Sequence, residues 1–107
     1  MPFIKTLPKN NFYAVIFSST KSNDLEGYDE MDKHTMLLAQ QQPGYLGYES
    51  VNNGNLGIFI SYWESKDAIE NWRQNATHKM AKSNAIKWYK RYLSQICFVE
   101  SSHLHES

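Results

Sequence analysis

Apolar and polar positions follow one another along the chain in a pattern that predicts four strands and two helices. The strand-like segments, rich in β-branched and aromatic residues, are Phe12 to Ser19, Tyr45 to Val51, Leu56 to Trp63 and Tyr92 to Val99. Apolar residues recur at helical spacing from Asp24 to Gln42, between the first two strands. A second helical segment follows Ser65 and extends to about Arg91, with a break predicted at the polar run QNATH.

Local signals predict where these elements begin and end. Asn23 can cap the first helix, and Glu26 stands three residues further on, as in a capping box. Pro43–Gly44 ends that helix, and Asn53–Gly54 is typical of a two-residue hairpin turn. Ser65 is the predicted N-cap of the second helix, with an acidic residue favoured by the helix dipole in its first turn.

The order β-α-β-β-α-β predicts an α+β, ferredoxin-like fold. In this fold a four-stranded antiparallel sheet carries both helices on one face. The domain is expected to span residues 12–100, after an irregular N-terminal segment, residues 1–11, and before a polar tail, residues 101–107.

The face of the sheet opposite the helices is predicted to be apolar. In the third strand Leu56, Ile58, Ile60 and Tyr62 alternate with Gly57, Phe59, Ser61 and Trp63, so both faces carry apolar side chains. An exposed apolar face promotes aggregation, and a second copy packed sheet against sheet would cover it. We therefore expect a homodimer that forms an α+β barrel. The alternative is that residues 1–11 and the tail cover this face, but they are short and polar.

Composition excludes several classes of function. Eleven Lys and Arg balance eleven Asp and Glu, and this zero net charge argues against nucleic-acid binding. No run of apolar residues is long enough for a transmembrane helix, and the N-terminus lacks the apolar stretch of a secretory signal. Cys97 is the only cysteine, which excludes an intrachain disulfide and a four-cysteine zinc site. The sequence predicts a cytoplasmic protein with no membrane partner and no metal site.

Candidate ligand-binding residues cluster in the second helix. Helical spacing brings Trp72, Asn75 and His78 to neighbouring positions, where an aromatic wall lies beside a titratable imidazole. The alternative is that His78 only hydrogen-bonds near a helix break. Trp63, at a strand end facing this helix, and Trp88 are also predicted to bind substrate, although tryptophans are more often core or dimer contacts.

The chain resembles the antibiotic biosynthesis monooxygenase (ABM) domain family in the segments PGYLGYES, GIFISYWESKDAIENW, HKMA and WYKRY. The resemblance covers about residues 12–100 and is closest to a bacterial branch of small stand-alone proteins. It implies ferredoxin-like units that dimerise into an α+β barrel, in agreement with the order of the elements.

The resemblance also implies an activity. Some relatives oxygenate aromatic polyketides without metal or flavin, because a deprotonated, electron-rich substrate can itself donate an electron to triplet oxygen. We therefore expect a cofactor-independent monooxygenase that acts with O₂ on a small aromatic, quinol- or polyketide-like substrate. By this resemblance His78 would be the base or oxyanion partner, and Asn75 would offer a hydrogen bond. Trp72 and Trp63 would hold the ring.

Two alternatives remain. A second branch of the family degrades heme with an Asn in the first strand and a Trp and an axial His on the second helix. Here Trp72 and His78 are only six residues apart and Phe12–Ser19 contains no Asn, which disfavours heme as a cofactor. The third interpretation is a non-catalytic dimeric module that binds a small ligand. A pocket packed shut by Trp72 and Trp88 would favour it.

Overall fold

A computed structural model describes residues 7–75 and 85–107 of the chain. Its elements, in chain order, are β1 (Phe12–Lys21), α1 (Tyr28–Gln40), β2 (Tyr45–Asn53), β3 (Leu56–Trp63), α2 (Lys66–Arg73), α3 (Ala85–Trp88) and β4 (Tyr89–Val99). The strands form one four-stranded antiparallel sheet in the order β2-β3-β1-β4. This is the predicted ferredoxin-like arrangement.

The register of the sheet separates two faces. Phe17 of β1 pairs with Phe59 of β3 and Ser94 of β4, so these three side chains lie on the same face. The helices pack on this face, where Trp63, Ile69 and Trp72 form a buried cluster with two alanines, Ala39 of α1 and Ala68 of α2. The core therefore sits between the helices and one side of the sheet.

Three element boundaries differ from the prediction. β1 extends to Lys21, and β4 begins at Tyr89 because Lys21 pairs with Tyr89 after an irregularity in the ladder. The expected extension of the second helix to Arg91 is therefore wrong, since Tyr89 to Arg91 are strand residues. The break expected in QNATH is confirmed at its first residue, because α2 ends at Arg73 with Gln74 as its C-cap.

The predicted capping box of the first helix is absent. α1 begins at Tyr28 after Gly27, whose φ of 80° requires a residue that tolerates the left-handed region, and no side chain caps this end. Instead of Asn23, Ser22 organises the turn: its Oγ accepts a hydrogen bond from Asp24 N at 3.1 Å and donates one to Lys87 O at 2.7 Å. This second bond ties the start of the helix to α3.

Two other local signals gave different results. Ser65 caps α2 as predicted, because its Oγ accepts a hydrogen bond from Ala68 N at 3.1 Å. The hairpin turn, in contrast, is shifted by one residue from the prediction. Asn53 pairs with Leu56, so the two turn residues are Gly54, with a φ of 62°, and Asn55. A positive φ is needed only at the first turn position, which glycine occupies.

The outer face of the sheet, opposite the helices, is closed at one end and apolar at the other. Phe12 and Ala14 are buried beside the point where Ser102 N donates a hydrogen bond to Lys9 O at 2.7 Å. At the other end one row of the sheet carries an exposed apolar side chain on β2, β3 and β4, with Ser18 of β1 between the last two. Their exposed fractions are 64% for Val51, 47% for Ile58 and 41% for Leu93. These apolar side chains are therefore left uncovered in the single chain.

Gly44 is the glycine whose substitution we expect to destabilise the fold most. Its φ is 85°, and a Cβ there would lie 2.6 Å from the Cβ of Ala68 on α2. We predict that Gly44→Ala lowers the free energy of unfolding by about 3 kcal/mol, since it combines a left-handed backbone with overpacking. Urea denaturation measures this change.

Gly54→Ala is the matched control, because Gly54 has a φ of 62° with no atom within 4 Å of the added Cβ. This substitution is expected to lower the free energy of unfolding by about 1 kcal/mol, because only the strain of the left-handed backbone contributes. Equal losses in the two variants would contradict the close approach of α2 to Gly44.

Candidate functional site

A cavity of about 820 Å³ lies between the helices and the sheet. Its walls come from all four strands and from α1, α2 and the end of α3. On the face of the sheet beneath the helices, small residues such as Ser19, Gly57 and Ser61 alternate with the aromatic residues Phe17 and Phe59, and the space beside the small residues is part of the cavity. Its volume is in the range of pockets that bind small organic molecules.

One end of the cavity is aromatic. Trp72 of α2 stacks on Trp63 of β3 with ring centroids 6.5 Å apart and an interplanar angle of 25°. Tyr45 meets Trp63 edge-on at 5.3 Å. The indole Nε1 of Trp63 donates a hydrogen bond to Ser61 Oγ at 2.9 Å, which fixes the orientation of the ring. This end presents rigid aromatic walls that suit a flat ligand.

Two buried hydroxyls in the cavity wall lack a hydrogen-bond partner. They are Thr35 Oγ1 on α1 and Tyr45 OH at the start of β2. Burial, with a smaller contribution from Tyr48, raises the pKa of Tyr45 to about 12, so its hydroxyl stays protonated at neutral pH. An unsatisfied buried hydroxyl is costly, and a polar atom of a bound ligand would relieve that cost.

The opposite end of the cavity carries charge. Lys21, the last residue of β1, donates a hydrogen bond from Nζ to Asn52 Oδ1 of β2 at 3.3 Å, and its ammonium lies 5.2 Å from the centre of the Tyr28 ring. Asp32 of α1 also lines this end. The hydroxyl of Tyr89 donates to the hydroxyl of Tyr28 at 3.5 Å.

Electrostatics at this end favour uncharged forms of the acidic groups. Burial raises the pKa of Asp32, and Asp29 adds to the rise, while Lys21 acts in the opposite direction. Burial also raises the pKa of Tyr89 far above its ordinary value, with further contributions from Tyr28 and Asp32. The cavity thus brings one ammonium near a carboxyl group that is easier to protonate than usual.

Gly57 keeps this end open. A Cβ at Gly57 would lie 2.7 Å from Asn52 Oδ1 and 3.5 Å from Ser19 Oγ. The first distance is shorter than real Cβ contacts allow, so any larger residue would displace the amide that accepts from Lys21. Because Gly57 has no Cβ, the Asn52 side chain has room beside it.

The structure places the predicted tryptophans around the cavity. Trp63 and Trp72 are brought together at the aromatic end, and Trp88 lies near the charged end, where its Nε1 donates to Glu26 O at 3.0 Å. Asn75 is half-buried just past α2, and its backbone N donates to Trp72 O at 3.0 Å. His78 lies outside the described residues, so its part in the site stays a prediction.

The sequence interpretation missed the charged end of the cavity. Lys21 continues the inward-facing alternation of Val15, Phe17 and Ser19 by one more step, but the first strand was expected to end at Ser19. Asp32 lies one helical turn from both Tyr28 and Thr35, within the stripe of α1 that faces the sheet. The sequence does carry a signal for this end of the cavity. Lys21 and Asp32 are charged residues at positions where the strand or helix repeat places the side chain toward the core.

Comparison with known proteins gives the class of the chain. The family model described as antibiotic biosynthesis monooxygenase (ABM) matches residues 12–84. The chain therefore belongs to this family, as its resemblance implied. It is 41% identical to the uncharacterized protein YqjZ of Bacillus subtilis strain 168, in an alignment of 108 residues covering 99% of this chain and 95% of the relative.

Solved structures share the fold at much lower identity. SnoaB of Streptomyces nogalater, described as a cofactor-independent oxygenase, superposes with a TM-score of 0.73 at 10% identity, covering 86% of this chain and 96% of SnoaB. Rv0793 of Mycobacterium tuberculosis superposes with a TM-score of 0.72 at 13% identity, covering 90% of this chain and 98% of Rv0793. These similarities establish the ferredoxin-like fold of the family for this chain.

The described residues contain neither a metal-binding cluster nor a membrane-spanning helix. Residues 7–75 and 85–107 contain no group of three or more His, Cys, Asp or Glu side chains placed to hold a metal ion. In the same part of the chain, every helix is too short or too polar to span a membrane.

Asp32 is exposed on α1, but its carboxyl group is partly removed from water beside the cavity, so its raised pKa predicts a small, solvent-screened destabilisation of the fold at neutral pH. Because its pKa is above 3.8 in the folded protein, ionising Asp32 costs folding free energy, and this cost disappears at pH values below 3.8. We expect Asp32→Asn to raise the free energy of unfolding at pH 7, with a gain that shrinks as the pH is lowered toward 4. Urea denaturation across this pH range measures the difference.

Asp67→Asn is the control for this experiment. Asp67 lies in the first turn of α2, where the helix dipole favours a negative charge, so its replacement is expected to lower stability at pH 7. A loss of stability in Asp32→Asn at pH 7 would contradict the burial argument for Asp32.

Proposed function

We propose that the protein is a monooxygenase that oxidises a small aromatic, quinol- or polyketide-like substrate with O₂ and needs no metal or organic cofactor. The observation that carries the proposal is the open cavity of about 820 Å³ with aromatic walls. Membership of the ABM family supports the reaction class. The description of SnoaB as a cofactor-independent oxygenase supports the absence of a cofactor.

The proposed chemistry uses the substrate as the source of electrons. Removal of a proton from an acidic hydroxyl or methylene group gives an electron-rich anion, which transfers an electron to triplet oxygen. The resulting radicals combine to form a carbon–oxygen bond. Cleavage of the O–O bond converts a CH₂ group to C=O and releases the second oxygen atom as water. The substrate supplies all the electrons required, so the reaction balances without another reductant.

In this proposal each candidate residue has a specific role in binding or deprotonating the substrate. Trp63 and Trp72 hold the aromatic ring of the substrate, and Trp88 closes the opposite wall. His78 takes the proton or stabilises the oxyanion, and Asn75 offers a hydrogen bond to the substrate. The walls also exclude water, which protects the anion and the radicals from side reactions. A cytoplasmic location belongs to the same proposal, supported by a single cysteine that cannot form an intrachain disulfide.

An oxygen electrode tests the activity. With a panel of anthrones and quinols, the wild-type protein is expected to consume O₂ faster than the uncatalysed reaction. His78→Ala is expected to lower the rate at least about a hundredfold, as removal of a general base does. His103→Ala is the matched control, since His103 is exposed in the tail, and should leave the rate unchanged.

Two results would count against the monooxygenase. One is a rate no higher than the uncatalysed one with every compound on the panel, and the other is an unchanged rate in His78→Ala. Binding of the same compounds without oxygen uptake would favour the non-catalytic module. A shift of the Soret band on titration with hemin that is lost in His78→Ala would favour a heme-binding or heme-degrading protein. Trp72 and Trp88 do not pack the cavity shut, which removes one argument for the non-catalytic alternative.

We also propose that two copies pack through the outer faces of their sheets. The support is the row formed by Val51, Ile58 and Leu93, which lies open in the single chain and continues onto Leu56, itself 58% exposed. A second copy with the same row would remove this apolar surface from water. The result is the expected α+β barrel, with one cavity on the helical side of each sheet.

Analytical ultracentrifugation tests the dimer. We expect the wild-type protein to sediment as a dimer and Ile58→Glu to weaken association at least about a hundredfold, because it places a carboxylate in the apolar interface. Leu37→Glu is the matched control, since Leu37 on α1 is 60% exposed but lies away from the sheet. A wild-type monomer at micromolar concentration would contradict the proposed interface.

A further inference from the structure

The charged end of the cavity contains an ammonium whose neighbours leave part of its hydrogen-bonding capacity unused. Lys21 Nζ has three donors, and among the described residues its one hydrogen bond is to Asn52 Oδ1 at 3.3 Å. The Tyr28 ring faces the ammonium at 5.2 Å. A half-buried lysine in an aromatic cavity can therefore donate to a ligand without breaking an existing contact.

Asp32 lines the same end but does not pair directly with Lys21. Both residues belong to the described part of the chain, and no ion pair joins them within 4.0 Å. The two groups still influence each other electrostatically, since Lys21 acts on the titration of Asp32. Asp32 is exposed to solvent, so its carboxylate lines the open end of the cavity together with Lys21 but does not pair with it.

We propose that Lys21 and Asp32 recognise a hydroxyl group on the aromatic substrate, which donates a hydrogen bond to Asp32 and accepts one from Lys21. This inference rests on the proposed function and names the two residues that would position the hydroxyl group of its quinol- or polyketide-like substrate. It assigns the charged end of the cavity to substrate orientation, opposite the tryptophans at the other end.

The choice of a hydroxyl follows from the chemistry of the two side chains. An ionised carboxylate only accepts hydrogen bonds and an ammonium only donates them, whereas a hydroxyl does both. A ligand carboxylate would be attracted by Lys21 but repelled by Asp32. An ether oxygen would accept from Lys21 but leave Asp32 without a donor. Of the three, the hydroxyl satisfies both groups.

The surroundings suit an aromatic ring that carries this hydroxyl. Phe17 and Tyr92 stack with centroids 5.6 Å apart on the sheet side of the cavity, and Tyr89 meets Phe17 edge-on at 5.3 Å. The other titratable groups at this end are Tyr28 and Tyr89, with Asp29 behind Asp32. Burial keeps the hydroxyl of Tyr89 protonated at neutral pH, and Lys21 and Asp32 are the charged side chains that line this end of the cavity.

The same position would also favour ionisation of the hydroxyl. Its proton can pass to the carboxylate of Asp32, which breaks the substrate O–H bond and forms an O–H bond on the carboxyl group. The negative charge then moves to the substrate oxygen beside Lys21, and the total charge at this end of the cavity does not change. A phenolate formed in this way would be the electron-rich species that the proposed oxidation requires, and His78 would then act as the oxyanion partner and not as the base.

Calorimetric binding of three probes at pH 7 tests the pair: β-naphthol, its methyl ether and β-naphthoate. The wild-type protein is expected to bind β-naphthol at least about tenfold more tightly than the ether. Lys21→Met is expected to reduce this preference and to weaken β-naphthoate further. Asp32→Leu is expected to reduce the preference but to strengthen β-naphthoate about tenfold, because the carboxylate no longer repels it.

Controls separate recognition from folding. Lys33→Met removes an exposed lysine next to Asp32 on α1 and should leave all three affinities within about twofold. Lys21→Arg should retain most of the preference for β-naphthol. The opposite effects of Lys21→Met and Asp32→Leu on β-naphthoate are a signature that general destabilisation cannot produce. If a variant does not fold, the preference of the wild-type protein among the three probes still tests whether the cavity recognises a hydroxyl group.

A wild-type protein that binds the ether as tightly as β-naphthol, or that binds none of the probes, would contradict the proposal that Lys21 and Asp32 recognise a hydroxyl group. So would unchanged β-naphthoate binding in a folded Asp32→Leu variant. Oxygen uptake separates this inference from the proposed function. If β-naphthol binds tightly and its binding depends on Lys21, but no hydroxyaromatic compound supports oxygen uptake, the monooxygenase proposal is rejected. Hydroxyl recognition by Lys21 and Asp32 is then retained. Oxygen uptake that is unaffected in Lys21→Met and Asp32→Leu would reject the pair alone.

Discussion

The packing of Trp72 on Trp63 is the contact on which the arrangement of the molecule depends. It holds α2 against β3 at one end of the sheet, where Gly44 allows the close approach of Ala68. Further along the same face of the sheet, small residues such as Ser19 and Gly57 alternate with aromatic residues such as Phe17 and Phe59. The cavity lies between this mixed surface and the helices, beyond the aromatic contact that holds α2.

Such a cavity is unfavourable for stability and is therefore informative about function. Protein interiors are normally packed without space of this size, and buried hydroxyls normally have partners. Here Thr35 and Tyr45, both in the described part of the chain, have buried hydroxyls in the wall without a hydrogen-bond partner. Groups that cost folding free energy concentrate at sites where a ligand will contact them. The proposed substrate would fill the space and satisfy these groups together.

Much of the fold is readable from the sequence because its signals are local. Strict alternation gave β3 its bounds, and the hydroxyl of Ser65 begins α2 as predicted. Prediction failed where partners come from distant parts of the chain. The start of α1 is fixed by Gly27 and by the bond from Ser22 to Lys87, and β4 begins at Tyr89 because Lys21 pairs with it. The site divides in the same way: the two tryptophans of the aromatic end, Trp63 and Trp72, are among the residues predicted from the sequence, whereas the charged end requires β1, β2 and α1 to meet.

The most direct test of the account is the origin of the oxygen atom in the product. A reaction of the protein with an anthrone or quinol substrate under heavy-isotope dioxygen, followed by mass spectrometry, measures it. The account predicts that one heavy oxygen atom enters each product molecule and that the other leaves in water. Product oxygen drawn from solvent water, or the same yield of labelled product without the protein, would contradict a monooxygenase in this cavity.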